Sequence, residues 1–392
     1  MTAPPLHVAV IGAGAIGMSV AMHAAELGAE VTIVEREYPA SGSSSLSLGV
    51  FNRQTPDPIE LELRVRSIEL LDDLGNADAL PLGRIGYVRL AREPDQLERF
   101  ATAVEAQRAL GYHGGRVVDA AELRALVPAL NCDDLVGALY SADDGTFDGH
   151  LVCAAYQRRA EAAGARLVVR APVGAVDVRA DGIRLRTPAG EIRCDRLVNA
   201  AGPWAGKVGE LIGLDCPLHV QPHRTAMGRL RRPLSRPLPT VNEYVPGASE
   251  PALVLRGEGP DRLLAMLHSH TAIPGEDAVD PDDYSPAVGF EYVEEVAARL
   301  AHRLPGLAED LSLDTGWAGL YPLSPDGRFI VGPYEGDPRV VAAAGVGAVG
   351  ITVSGAVGRL AAEWAVLGEA TRFGFADRLL PDRASLRSER VA

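Results

Sequence analysis

LHVAVIGAGAIGMSVAMHAAELGAEVTIVERE, residues 6–37, is the stretch on which the fold turns. Residues 6–11 are an unbroken apolar run with β-branched members, the composition of a strand covered on both faces. Residues 15–27 recur at helical spacing, and Gly28 stands where a helix hands over to a residue that tolerates positive φ. Residues 30–35 make a second buried strand, which completes one βαβ unit. Between strand and helix lies Gly12-x-Gly14-x-x-Gly17, and Glu35 closes the second strand. Gly12 suits the tight turn, Gly14 lets the backbone approach a pyrophosphate, and Gly17 lets the helix lie close to the strand. The helix N-terminus offers free N–H groups and partial positive charge to the phosphates. A carboxylate at Glu35 accepts from both ribose hydroxyls and argues against a 2′-phosphate, hence against NADP. The glycine pattern alone is a weak signal; in its full βαβ context with the terminal acid it is a strong one.

This unit leaves NAD and FAD both open. Three later turns favour the longer FAD. SGSSSLSLGVF, residues 41–51, carries small hydroxyl and glycine residues that permit close backbone approach. LVNAAGPWAG, residues 197–206, is a buried strand running into Gly202-Pro203 and a new helix. AAAGVGAVGITVSGAVGRLAAEW, residues 342–364, is a strand, a glycine-rich turn and a helix expected to start near Gly350. Three such turns imply an extended ligand.

Outward from these turns, the chain alternates between two kinds of segment. Helices are expected over 56–74, 94–110, 120–126 and 151–163, and strands over 84–90, 166–170, 173–178, 183–187 and 195–200. From Cys216 to Ser324 proline-rich alternating runs predict an antiparallel sheet with one helix over 288–303. The expected architecture is α/β: a Rossmann-like FAD-binding domain with an inserted antiparallel-sheet (α+β) substrate domain. Residues 1–50, 148–215 and 325–375 are assigned to the first domain, 51–147 and 216–324 to the second, and 376–392 to a C-terminal tail. At 392 residues the chain exceeds one ordinary core, in keeping with two domains.

The balance of 52 Asp and Glu against 38 Lys and Arg repels phosphate backbones, so nucleic acid is not an expected partner. Lys207 is the only lysine. Cys132, Cys153, Cys194 and Cys216 form no CxxC pair and lie in apolar surroundings, which predicts reduced thiols and a cytoplasmic home. The first apolar run has no basic leader, and no run reaches membrane-spanning length. His268 and His270 are two apart, on one face of an expected strand. No third ligand clusters with them, so no metal is expected; one of the pair is placed near the substrate, with His223 a weaker candidate. Asp143, Asp144 and Asp148 lack calcium-loop spacing and are read as turn and cap residues.

On these residues the chain resembles the D-amino-acid oxidase superfamily, on the branch of glycine oxidase and monomeric sarcosine oxidase. The matching segments are VAVIGAGAIG, SGSSS, DGTFDGHLVCAAYQRRAEAAGARL, LVNAAGPWAGKVGELIGL, VQPHRT, WAGLYPLSPDGRFIVGP and AAGVGAVGITVSGAVGRLAAE, which sample nearly the whole chain in family order. The resemblance implies FAD extended through the first domain. Gly12, Gly14, Ala15, Ile16 and Gly17 would line the pyrophosphate, and Glu35 and Arg36 would hold the adenosine ribose. Ser43, Ser44, Leu48, Gly49 and Val50 would line the middle and the flavin, and Val173 would meet adenine through its backbone. Ala200, Ala201, Gly202 and Trp204 would close over the cofactor. Val346, Gly347, Ala348, Val349, Gly350, Ile351 and Thr352 would meet the isoalloxazine edge.

The departures from the pattern are as informative. Family arginines that grip a substrate carboxylate are replaced by Tyr321 and Ala348; Arg53, Arg224 and Arg256 are candidates to compensate. The cysteine that tethers FAD in sarcosine oxidases corresponds to Gly319, and the histidine of other relatives falls near Leu46, so non-covalent FAD is expected. The lysine that assists oxygen reduction is replaced by Leu263 or Leu264, which leaves oxygen or another electron acceptor open. The expected activity is removal of a hydride from the C–H next to nitrogen of a small amine or amino acid, giving an imine. Tyr321, His268, Tyr244 and Arg256 are the expected substrate-side residues. The alternatives are a specialised biosynthetic flavoenzyme acting on a tailored or carrier-bound amine, a nicotinamide-dependent dehydrogenase, and a non-catalytic FAD-binding module. The oligomeric state stays open.

Overall fold

The structure is a computed structural model that describes residues 5–244, 251–269 and 278–388. One half is a six-stranded sheet in the order Ile330–Pro333, Val340–Ala344, Arg196–Asn199, His7–Ile11, Glu30–Val34 and Arg166–Val168. Neighbours run parallel except the edge strand Ile330–Pro333. His7–Ile11 is an inner strand covered on both faces, which explains its unbroken apolar run. Val8 and Val10 enter a core with the helices Ala15–Glu26, Gly149–Ala162 and Ser354–Leu367. Ala9 and Ile11 enter the opposite core. There a three-stranded antiparallel sheet, Ala175–Arg179, Gly182–Thr187 and Gly190–Cys194, covers them with Ile183, Leu185 and Ile192.

The other half is an eight-stranded sheet. It starts with the long pair Leu311–Leu323 and His219–Leu230, and continues through Arg262–His268, Ala252–Glu258, Thr240–Asn242, Tyr87–Ala91, Gly137–Ser141 and Gly115–Asp119. Only Thr240–Asn242 against Tyr87–Ala91 is parallel. Its strands come from two stretches of chain that flank the segment carrying Gly149–Ala162 and Arg196–Asn199, so the sheet is an insertion in two pieces. Side-chain alternation sets its two faces. Leu263, Ala265 and Leu267 pack towards Val296 and Leu300 of the helix Phe290–Arg303. Leu264 and Met266 turn the other way, against Leu48.

Three sequence expectations shift. The helix Pro58–Ala77, capped by Asp57 through the Glu60 N–H at 2.8 Å, was expected with the second sheet. Its Ile59, Leu63, Ile68, Leu71 and Leu74 belong to the first core, and Ser67 Oγ accepts the Ala356 N–H at 2.9 Å. Its apolar stripe therefore faces the half built on the six-stranded sheet. The stretch assigned to a tail is held in place: Leu379 and Leu386 are buried and Arg383 pairs with Asp326 at 2.7 Å. The helix expected near Gly350 begins at Ser354, preceded by a 3-10 turn over Gly347–Val349. Gly347, at φ +50°, allows that tighter entry.

Candidate active site

A cavity of about 920 Å³ runs from the glycine turn of the first strand to the inner face of the eight-stranded sheet. That volume is at the upper end of the range of about 300–1,000 Å³ for small-molecule and cofactor sites. Its floor is set by sterics. Gly12 sits at φ +103°, and a Cβ there would lie 2.5 Å from the Ala200 carbonyl oxygen. Gly17 does not line the cavity; a Cβ on it would run into the Gly12 carbonyl oxygen, so its role is packing. Gly14 has ordinary backbone angles, and a Cβ there would meet Ser44 Oγ at 3.2 Å. The helix that follows has no acid in its first turn and an N-cap, Gly14, without a side chain; Ser44 takes one of its first N–H groups, and the positive end of its dipole favours an anion. Glu35 is buried at the strand end. Its carboxylate accepts the Ala13 N–H at 2.8 Å and the Glu37 N–H at 2.9 Å.

The serine-rich turn is pinned from several elements. Ser44 Oγ accepts from the Ala15 N–H at 3.1 Å, and Ser43 Oγ donates to the Leu320 carbonyl at 2.7 Å. Trp317 Nε1 donates to the Leu46 carbonyl at 2.8 Å, and Thr352 Oγ1 donates to the Val50 carbonyl at 3.1 Å. At the rim, Arg36 stacks over Trp204 at 3.9 Å. Arg36, Trp204 Nε1 and Lys207 all reach Asp282, at 2.7, 2.7 and 2.6 Å. The Lys207 hydrogen bond, with lesser help from Arg36 and Trp204, holds the Asp282 carboxyl far below the usual range.

A family model described as DAO, FAD dependent oxidoreductase, matches residues 7–364. The chain belongs to that family. Mitochondrial dimethylglycine dehydrogenase of Homo sapiens is 28% identical over 375 residues, covering 92% of this chain and 42% of that protein. The chain thus spans less than half the length of that relative. Glycine oxidase from Geobacillus kaustophilus superposes with a TM-score of 0.78 at 25% identity, covering 96% of this chain and 98% of its own. L-proline dehydrogenase from P. horikoshii superposes with a TM-score of 0.85 at 23% identity, covering 96% and 97%, a likeness of fold.

The cavity fits the cofactor of an FAD-dependent oxidoreductase. Every cofactor-side residue named from sequence lines it except Gly17. The side-chain-free gap at Gly14 and the acid-free helix end suit a pyrophosphate, and the inward carboxylate of Glu35 suits a ribose. Gly319 and Leu46 face each other: a Cβ on Gly319 would sit 3.1 Å from Leu46 Cβ. Neither offers a nucleophile. Cys153 does not line the cavity; burial pushes its thiol up to about 12.

At the far end of the flavoprotein's cavity the structure gathers Tyr321, His223 and His268. His223 stacks on Tyr321 with centroids 3.8 Å apart, and His268 meets Tyr321 edge-on at 6.1 Å. Burial, followed by the neighbouring His268 and Arg224, holds the His223 imidazole well below its usual range, so it is uncharged. Among the described residues neither of its ring nitrogens has a partner. Burial also raises the Tyr321 phenol, whose hydroxyl lies 4.0 Å from Met266 Sδ. Two expected members are corrected. Tyr244 stands behind His268, edge-on at 5.5 Å, and does not line the cavity. Arg256 shares the face of Val254, but its Nε donates to the Leu48 carbonyl at 2.6 Å and its Nη1 meets Glu258; it braces the serine-rich turn. Arg53 is bound to the buried Asp144 at 2.9 Å, and Arg224 does not line the cavity, so none of the three candidate arginines compensates. The buried arginines that do line it are Arg64 and Arg89. Sequence reading missed both, because each lies in an element read as ordinary helix or strand, with no motif around it. Asp148 caps the helix Gly149–Ala162 through the His150 N–H at 2.8 Å. His270 lies outside the described residues. Among the described residues no cluster of three His, Cys, Asp or Glu is placed to hold a metal.

Proposed function

We propose that this chain binds FAD non-covalently and oxidises a small amine or amino acid, removing hydride from the C–H next to nitrogen to leave an imine. The observation that carries the reading is one cavity joining a dinucleotide cradle to an aromatic and imidazole wall on the inserted sheet. When bound, FAD supplies the hydride acceptor. The chain supplies orientation and electrostatics. An amine gives up hydride readily only with its nitrogen lone pair free. The buried, uncharged His223 and the Tyr321 ring stacked on it carry no counter-charge for an ammonium, which favours a neutral amine at that end of the cavity. Tyr321 shields that position from water by stacking on His223. The residues of the cofactor end keep the roles assigned from sequence: Gly12, Gly14, Ala15 and Ile16 at the pyrophosphate, Glu35 and Arg36 at the ribose, Val346–Thr352 at the isoalloxazine. The absence of a nucleophile at Gly319 and Leu46 supports a dissociable cofactor.

The electron acceptor is open to oxygen or a second protein. Four buried, unpaired cysteines support a reducing, cytoplasmic setting. No helix among the described residues is long and apolar enough to cross a membrane. The test is an anaerobic panel of secondary and tertiary amines, N-methyl amino acids and cyclic amino acids, read as bleaching of the flavin band. Bleaching by one class at micromolar to millimolar concentration supports the reading. A yellow protein that none of them bleaches overturns it.

A further inference from the structure

Residues 279–286 form a strap tied at both ends to the inserted sheet. The Val279 N–H donates to the Val220 carbonyl at 2.8 Å, and the Ala318 N–H to the Pro286 carbonyl at 2.9 Å. The anchoring strands, His219–Leu230 and Leu311–Leu323, are the ones that carry His223 and Tyr321. Between the anchors the chain makes its own turn: the Asp283 N–H donates to the Asp280 carbonyl at 3.0 Å, and the Asp282 N–H to Asp280 Oδ1 at 2.9 Å. Pro281 is buried there and lines the cavity with Asp282, Tyr284 and Pro286. That turn presents Asp282 to the other half of the molecule. Its Oδ1 accepts from Arg36 Nη1 and Trp204 Nε1, both at 2.7 Å, and its Oδ2 accepts from Lys207 Nζ at 2.6 Å. Lys207 donates also to Asp280 Oδ1 at 2.5 Å. The three donors reach Asp282 from separate places: beyond the strand Glu30–Val34, from the 3-10 turn Gly202–Trp204, and from the helix Ala205–Ile212. All three line the cavity.

We propose that Asp282 hooks the strap across the cavity mouth, as a clasp between the two halves that sets how fast FAD leaves and enters. The proposal rests on the placement of the adenosine end at Glu35 and Arg36 and is independent of the substrate. Asp282 touches no reacting group; it is a positioning residue that acts through Arg36 and Trp204. An exposed ion pair alone is worth roughly fivefold at most. Here three donors share one carboxylate that a preformed turn already aims at them, so little freedom is left to lose. The charges of Arg36, Lys207, Asp280 and Asp282 balance while the strap is down. Lifting it frees Lys207 and leaves Arg36 only the longer pair with Glu37 at 3.5 Å. Uncovered cations draw in the anionic diphosphate of FAD, so one set of ionic bonds serves capture when open and retention when shut.

The test follows FAD release from the holoenzyme after dilution, read as the return of free-FAD fluorescence. It is run in about 0.01 M and about 1 M sodium chloride, between which the screening length falls from about 30 Å to about 3 Å. Salt is expected to speed release from the unaltered protein. Asp282→Asn is expected to release FAD at least about fivefold faster at low salt, and to gain little more from high salt. Lys207→Gln should shift both readings the same way, and Lys207→Arg should keep slow, salt-sensitive release. A role of Asp282 confined to stability would leave the salt dependence in place. An Asp282→Asn protein that releases FAD at the unaltered rate overturns the clasp. So does one that keeps the unaltered salt dependence, because salt then acts on the cofactor directly. If Asp282→Asn fails to fold, a Lys207→Gln protein with unaltered release and salt dependence overturns it equally. If the amine panel leaves the flavin unbleached while release follows Asp282, the function fails and the clasp stands. If amines bleach the flavin and release ignores Asp282, the clasp fails and the function stands.

Discussion

The glycine turn gives a prediction in which fold and cofactor affinity part company. At Gly12 a methyl group would meet the Ala200 carbonyl oxygen at 2.5 Å, on a backbone at φ +103°. Positive φ costs an alanine roughly 1–2 kcal/mol, and forcing a carbon into closed backbone adds roughly 1–3 kcal/mol. Gly12→Ala should therefore lose about 2–5 kcal/mol of stability. At Gly14 the backbone is ordinary and the new methyl meets only Ser44 Oγ, at 3.2 Å, which need give only a few tenths of an ångström and can keep the Ala15 N–H it accepts. The remaining cost is that of alanine at a helix N-cap, below about 1 kcal/mol. That methyl points across the gap assigned to the pyrophosphate, so it should displace the cofactor and cost at least about 1.4 kcal/mol of binding, which is tenfold in affinity. Both variants are assayed by thermal melting and by FAD content per chain after purification, with FAD fluorescence quenching on readdition. The expected pattern is a normal melt with depleted FAD for Gly14→Ala, and a lowered melt for Gly12→Ala. A Gly14→Ala protein that retains FAD with wild-type affinity would refute the placement of the pyrophosphate.

Other perturbations test separate parts of the structure. Asp144→Ala removes the buried partner of Arg53 at 2.9 Å and leaves it only the longer pair with Asp72 at 3.8 Å; the loss should cost about 3 kcal/mol, read by chemical denaturation. His223 is held well below its usual range by burial first and by His268 and Arg224 second. From that low value up to about 6.5 the unfolded chain binds a proton that the folded chain refuses, so stability should rise with pH through this window and fall as the medium is acidified. His223→Phe should flatten that part of the melting profile, and an unchanged slope would show that another group governs it. Tyr321→Phe removes a hydroxyl whose contact is Met266 Sδ at 4.0 Å. Stability should change by less than about 1 kcal/mol; unchanged turnover and substrate affinity as well would remove Tyr321 from the site.

The cofactor end was legible in the sequence because backbone sterics write it there. Glycines at a strand–helix turn, an acid at a strand end and small residues beside them leave marks that survive without coordinates, and these residues, Gly17 apart, meet in one cavity. The substrate end was legible only in part. His268 follows from strand alternation, which fixes the face a side chain takes, and Tyr321 from the position at which the family carries an arginine. Arg256 lies on the same face but is consumed by Leu48 and Glu258, and alternation carries no information about which partner a guanidinium finds. Arg64 and Arg89 meet in space from a helix and a strand, through backbone carbonyls of Asn52, Gln54 and Tyr244. No spacing rule encodes such a convergence. The helix Pro58–Ala77 went to the other core for a related reason: periodicity shows that a stripe is buried, not against what.

The rim around Asp282 turns a compositional oddity into a handle. Lys207 is the chain's only lysine, and it stands at the cavity mouth, clasped by Asp280 and Asp282. Apart from an amino terminus, an amine-reactive dye therefore has one address. A fluorophore placed there would sit at the doorway, where its emission could report ligands entering and leaving without any engineered cysteine.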